Sequence, residues 1–259
     1  MKFALGLGIN ARAENLETMG AFDIGNLDDL VTWFKFNTNI STADRDSDGD
    51  NDITWTSSHT DARTASQTTD LQEPTTTSGY IDFDGSEDNL DLSSQLTLTQ
   101  FTMFLAIDFG SLSNETVLGK TNDADMFLRF GYQTNAAKFR FRRGDAATNN
   151  VDGVMDESLT TGEINLITIR CFQTAGGSDT TLKIELSKIS GGEVTTNEIY
   201  SEDDSTFDHG DNLALNTIGV QTTNSAAADM KLYEWVVFDA NLTSATRRNI
   251  QIDILNRTS

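Results

Sequence analysis

The run Phe101-Thr-Met-Phe-Leu-Ala-Ile-Asp-Phe109 puts Phe101, Met103, Leu105, Ile107 and Phe109 at alternate positions. That spacing sends neighbouring side chains to opposite faces of a β-strand. The same period recurs from Leu30 to Phe36, Met126 to Tyr132, Lys138 to Arg142, Ile164 to Phe172, Leu182 to Ile189, Leu213 to Val220 and Met230 to Phe238. Between the runs lie punctuators such as Asn122-Asp123, Arg143-Gly-Asp145, Thr161-Gly162, Gly176-Gly-Ser178 and Gly191-Gly192. These residue types turn a chain because they tolerate left-handed backbone or bond to it locally. Many short strands at regular spacing predict an all-β antiparallel sandwich or barrel. One proline in 259 residues agrees, since proline cannot donate to a ladder.

Helical pattern is confined to the two ends. Leu242-Thr-Ser244 supplies a hydroxyl cap, and Ile250 and Ile254 form an apolar stripe up to Leu255, which predicts a short closing helix. Asn26 to Leu30 suggests one turn before the first strand. Residues 37 to 79 are polar, and a structureless loop of that length is uncommon. Ile53-Thr-Trp55 and Ala62 to Gln67 are therefore expected to break it as short edge strands or turns. No repeat or mid-chain linker is visible, so residues 26–259 read as one domain behind an arm of residues 1–25. In that arm Phe3, Leu5, Leu7 and Ile9 alternate with small residues, a segment that becomes a strand only by docking on a partner.

Composition excludes several functions. With 40 acidic against 18 basic residues and a net charge of −22, nothing replaces the counterions around a nucleic acid. No apolar run has transmembrane length, and the first ten residues are too glycine-broken for a signal-peptide core. Cys171, the one cysteine, sits in an apolar run and reads as a buried small hydrophobe; it leaves the redox compartment undetermined.

The stretch from Asp44 to Asp52 concentrates Asp44, Asp46, Asp48, Asp50 and Asp52 in nine residues. Alternate carboxylates with Gly49 at the turn match the start of a calcium loop, but Trp55 stands where an EF-hand needs a bidentate glutamate. The pattern resembles the loops of thrombospondin-type calcium modules. A solvated loop without metal is the alternative, because like charges in water repel by only about 1 kcal/mol at contact. If a cation binds, oxygen donors select Ca2+ in a structural role.

A second charged feature has the opposite sign. Lys138, Arg140 and Arg142 alternate with Phe139 and Phe141, and Arg129 lies in the preceding run. Such a face either holds an acidic partner subunit or an anionic glycan, or pairs with neighbouring acidic strands of its own sheet. Arg143-Gly-Asp145 spells an adhesion tripeptide yet suits a hairpin turn. His59 and His209, the two histidines, are far apart and support neither a triad nor a zinc site. Trp33, Trp55, Tyr80, Tyr132 and Trp235 are candidates for stacking on sugar rings, Trp55 above all, although large aromatics in a sandwich usually serve its core.

Several motifs in order carry a family resemblance. They are Trp33-Phe34, Trp55 to Gln67, Gln72-Glu-Pro74, Gly79-Tyr-Ile-Asp-Phe-Asp-Gly-Ser-Glu-Asp-Asn-Leu90, and the ending Leu232 to Ser244 followed by a helix. Together they resemble concanavalin A-like, laminin-G-like jelly rolls, and in this acidic form those of virion structural proteins of tailed, marine phages. The resemblance implies a two-sheet jelly roll with an N-terminal arm and a C-terminal helix. It further implies a non-enzymatic component on the particle exterior, a capsid decoration or a tail or fibre part. Such a component docks on other virion proteins through its arm in many copies and is able to meet host glycans. A calcium-assisted lectin is the alternative. Glycosidases of this fold carry paired acids on one strand, whereas Glu163-Ile-Asn-Leu-Ile-Thr168 has Asn165 where the middle acid belongs.

Overall fold

The computed structural model describes residues 22–44, 52–77, 79–144, 150–173, 180–190, 192–204, 212–221 and 226–258. In chain order the strands are β1 (Leu30–Phe34), β2 (Ile40–Ala43), β3 (Asp52–Thr56), β4 (Thr64–Gln67), β5 (Thr75–Thr77), β6 (Tyr80–Asp84), β7 (Leu90–Leu98), β8 (Phe101–Phe109) and β9 (Glu115–Gly119). They continue with β10 (Met126–Phe130), β11 (Lys138–Arg143), β12 (Asn150–Val154), β13 (Asn165–Gln173), β14 (Thr180–Ser190), β15 (Glu193–Asp204), β16 (Leu213–Ile218) and β17 (Asp229–Phe238), and helix α1 (Ser244–Thr258) follows. Among the described residues these strands form two antiparallel sheets packed as a sandwich. One has the order β15, β14, β13, β8, β17, β6, β5, with β1 also beside β17; the other runs β12, β11, β10, β9, β16, β7, β4, β3, β2.

Alternation in β8 explains how the layers stack. Phe101, Met103, Leu105, Ile107 and Phe109 enter the core between the sheets. Phe104 and Ala106 point the other way, into a second core beneath α1. That helix starts where the Thr243 hydroxyl accepts the Thr246 N–H at 3.2 Å, and its Ile250, Ile254 and Leu255 are buried. Each such side chain contributes roughly 1.5–3 kcal/mol, so α1 is held by its apolar stripe rather than by helix propensity.

Differences from the sequence reading have local causes. The turn expected between Asn26 and Leu30 falls at Asp28 and Asp29, and a 3-10 turn at Ile24–Asn26 precedes it, capped by the Asp23 carboxylate, which accepts the Gly25 N–H at 2.9 Å. Ile24 packs in the second core, so the packed body reaches into the segment read as an arm. The Ile53 and Ala65 segments do form strands, but interior ones. β7 pairs with β4 on one side and β2 with β3 on the other, which leaves β2 at the edge.

β17 is irregular near its middle. β6 pairs with β17 from Asp229 to Leu232, and β1 takes over from Trp235 to Phe238 on the same flank. On the other flank the register with β8 slips between Leu232 and Glu234. Tyr233 and Glu234 therefore sit at a bulge opposite a gap between two strands. Bulges re-aim side chains and recur beside functional sites.

Candidate functional site

The residues singled out in the sequence fall in different places. Asp44 follows β2 on the surface, and Asp52 opens β3 buried, paired across the ladder with Ala43. Asp46, Asp48 and Asp50 lie outside the described residues, as do Phe3, Leu5, Leu7, Ile9 and His209. Among the described residues no group of three or more His, Cys, Asp or Glu converges as a metal site.

Trp55 is 0 % exposed, which corrects its reading as a ligand-stacking residue. With Ile53 it faces the core, tilted against Phe34 at 5.4 Å, and its Nε1 donates to the carbonyls of Lys35 and Thr38. Trp33 and Trp235 are buried as well.

The cationic strand is matched within its own sheet. Arg140 pairs with Asp152 directly across the ladder and lies 3.9 Å from the Tyr132 ring centroid. Arg142 reaches Asp125 at 2.7 Å, and Arg129 donates to Thr116 and Gln221. In the adhesion tripeptide Arg143 is 0 % exposed, its Nη1 3.6 Å from Cys171 Sγ, so its guanidinium is not on display. Cys171 is likewise buried, and burial pushes its thiol up to about 11. His59 Nδ1 donates to the Val31 carbonyl, 3.2 Å away. Asn165 is buried and its amide donates to the carbonyls of Thr160 and Glu163, a loop-tying role.

A group the sequence did not bring together lies at the β17 bulge. Phe36, just past β1, stacks on Tyr233 with centroids 6.0 Å apart and planes 22° from parallel. Tyr80, the first residue of β6, also packs on Tyr233, with centroids 5.1 Å apart and planes tilted by 47°. All three rings are half-buried. Gly79 makes this approach possible: its φ is +104°, and a Cβ there would meet the Phe36 ring at 2.6 Å.

Period two then sets the rows beside these rings. Lys231 is opposite Asp82 of β6 and Asp108 of β8, and Asp229 is opposite Asp84. Lys231 Nζ is 5.6 Å from the Tyr80 ring centroid and 3.8 Å from Asp108. Asp108 Oδ1 is buried with no hydrogen-bond partner among the described residues. Burial, helped by Asp108, Tyr80 and Asp82, pushes the Tyr233 phenol up. Burial first, and then Glu115, Asp82 and Asp84, push the Asp229 carboxyl up. Next to this row Asp88 accepts the Asp84 N–H at 2.8 Å, and its carboxyl is pushed up to about 6, mainly by burial.

Chemically the arrangement offers ring faces, carboxylate acceptors and one ammonium donor on a surface that α1 leaves uncovered. Two other pockets have no aromatic lining residue. One of about 310 Å³ lies where β2 and β3 face β5, bordered by Thr42, Ile53, Glu73 and Thr75. One of about 230 Å³ lies between α1 and the pair β14 and β15, bordered by Glu185, Glu198, Arg247 and Gln251. Tyr80 was among the aromatics noted in the sequence; Phe36 and Tyr233 were visible only as members of strand runs.

No family model matches this sequence, and no curated protein matches it. Among solved structures, Trypanosoma rangeli sialidase in complex with the inhibitor DANA superposes with a TM-score of 0.50 at 10 % identity, covering 87 % of this chain and 33 % of that one. The binding domain of Paraclostridial Mosquitocidal Protein 1 gives 0.40 at 13 % identity, covering 84 % and 46 %. The binding domain of Botulinum Neurotoxin serotype G gives 0.39 at 9 % identity, covering 86 % and 46 %. The chain spans less than half the length of each. At 10 % identity the likeness to the sialidase is one of fold alone, that of a β-sandwich.

Proposed function

We propose that this protein is a non-enzymatic jelly-roll module displayed on the outside of a tailed-phage particle, where Phe36, Tyr233 and Tyr80 contact host-surface glycans. The observation that carries the reading is the aromatic row at the β17 bulge, where Phe36 and Tyr80 each pack on Tyr233 and all three rings are half-buried. Sugar rings present apolar C–H faces that stack on aromatic faces, while their hydroxyls need acceptors such as Asp82 and Asp108 beside the rings. The loop-tying role of Asn165, where glycosidases of this fold carry an acid, supports binding without hydrolysis.

Glycan-array binding of the whole chain tests this reading. A saturable signal that Tyr233→Ala lowers about tenfold supports it, a loss of the size expected for an aromatic stack. No signal on any glycan, or one the substitution leaves unchanged, overturns it.

Two parts of the proposal concern segments outside the described residues. Docking by the arm predicts that deleting residues 1–20, which spares Ile24, abolishes incorporation into particles while the sandwich stays folded; a truncated chain that still assembles defeats it. A structural Ca2+ held by Asp44, Asp46, Asp48, Asp50 and Asp52 predicts calorimetric heat on calcium addition that Asp46→Ala removes. Absence of heat in the unmodified protein eliminates the metal.

A further inference from the structure

The rows beside the rings carry one sign. Across β6, β17 and β8 the side chains Asp82, Asp84, Asp108 and Asp229 surround a single cation, Lys231. On the other flank the cations are already engaged, Lys35 over the Trp33 ring at 4.7 Å and Arg257 with Glu234 and Asp253. Lys231 itself shows what the surface accommodates. Its ammonium rests over Tyr80 and beside Asp108, a cation on a ring face with a carboxylate at its side. We propose that this site accepts glycans lacking an anionic group, binds sugars bearing a free amine most tightly, and rejects sialylated, uronate and sulfated ones.

The inference rests on the glycan reading above and deepens it. A second ammonium near Tyr80 gains what Lys231 gains, and Asp82 and Asp108 supply acceptors for its protons. An incoming carboxylate meets four others and a chain of net charge −22. The Asp229 carboxyl is pushed up first by burial and then by Glu115, Asp82 and Asp84, so the neighbouring carboxylates act in the same direction.

The test is calorimetry at low ionic strength and slightly acid pH with three oligosaccharides: a neutral one, a glucosamine oligomer with free amines, and a sialylated one. The glucosamine oligomer is expected to bind about fivefold more tightly than the neutral probe, the ratio for one ion pair in water, and the sialylated probe not at all. The paired variant Asp82→Asn, Asp108→Asn brings the amine and neutral probes to equal affinity. Tyr233→Ala weakens both.

Sialylated binding as tight as neutral binding overturns the inference while leaving the glycan reading intact, as does equal affinity for amine and neutral probes. Amine binding untouched by Tyr233→Ala is attraction to the acidic chain at large and also overturns it. Binding of none of the three overturns both.

Discussion

The outer face of the β8 and β17 sheet has two halves that treat charge in opposite ways. Under α1, Glu234 is 0 % exposed but fully engaged: Arg257 lies 2.6 Å away and Trp33 Nε1 donates at 2.7 Å. In the same half Glu185 receives Arg170 at 3.0 Å and Arg247 at 2.8 Å, with Gln251 donating to it. Beyond the bulge, where no helix among the described residues covers the sheet, four aspartates share one lysine. Burial demands that charge be paired and hydrogen-bonded, while an uncovered face escapes that demand. On the proposed reading, this acid-rich half is the part of the face that meets a ligand.

The largest expected effect breaks the covered half. Arg257→Ala strands the Glu234 carboxylate and should cost about 3 kcal/mol in denaturant unfolding at neutral pH. Burial already holds the Glu234 carboxyl up against the pull of Arg257. A raised acid contributes more stability as pH falls through its folded pKa, so the loss should shrink on acidification. Tyr80→Ala in the open half should change unfolding by less than about 1 kcal/mol, because its ring is half-exposed. Equal losses from the two substitutions would erase the comparison.

A smaller effect lies in pH dependence at the open half. Asp88 titrates near 6 when folded against an ordinary 3.8. Between those values the folded state holds a proton that the unfolded chain has lost, so stability rises as pH falls from about 6 toward 4. Thermal midpoints across that window should show this rise, and Asp88→Asn should flatten it while raising the midpoint at pH 7.5. A flat profile in the unmodified protein would contradict the assignment. The smallest effect is expected at the cationic strand. Asp152→Asn removes the partner of Arg140 at a site where the aspartate side chain is 48 % exposed, and it should cost less than about 1 kcal/mol. A larger loss would mean that this ladder holds the second sheet together.

How much of this was readable in the chain depends on what each residue's neighbours repeat. β8 was legible to its end residues because alternate positions fill two different cores. α1 was legible from the Thr243 cap and the Ile250 and Ile254 stripe. β15 was not, since an edge strand of Glu, Thr and Asn carries little apolar period. β9 was missed because its five residues are all buried, which removes alternation.

The candidate site escaped for a different reason. Phe36, Tyr80 and Tyr233 come from three separated segments, and their meeting depends on a one-residue slip in β17 and on β1 handing over to β6. Neither leaves a local signature. Trp55 showed the converse: a tryptophan beside a polar loop looked like a contact residue, yet its register places it inside.

Residue-resolved NMR of the whole chain, titrated with the tightest-binding oligosaccharide, tests the central claim most directly. Shifts concentrated at Phe36, Tyr80, Asp82, Lys231 and Tyr233, with β11 and α1 silent, are the predicted result. Saturable shifts that map instead to β11, to α1 or to the edge of β2 would contradict it.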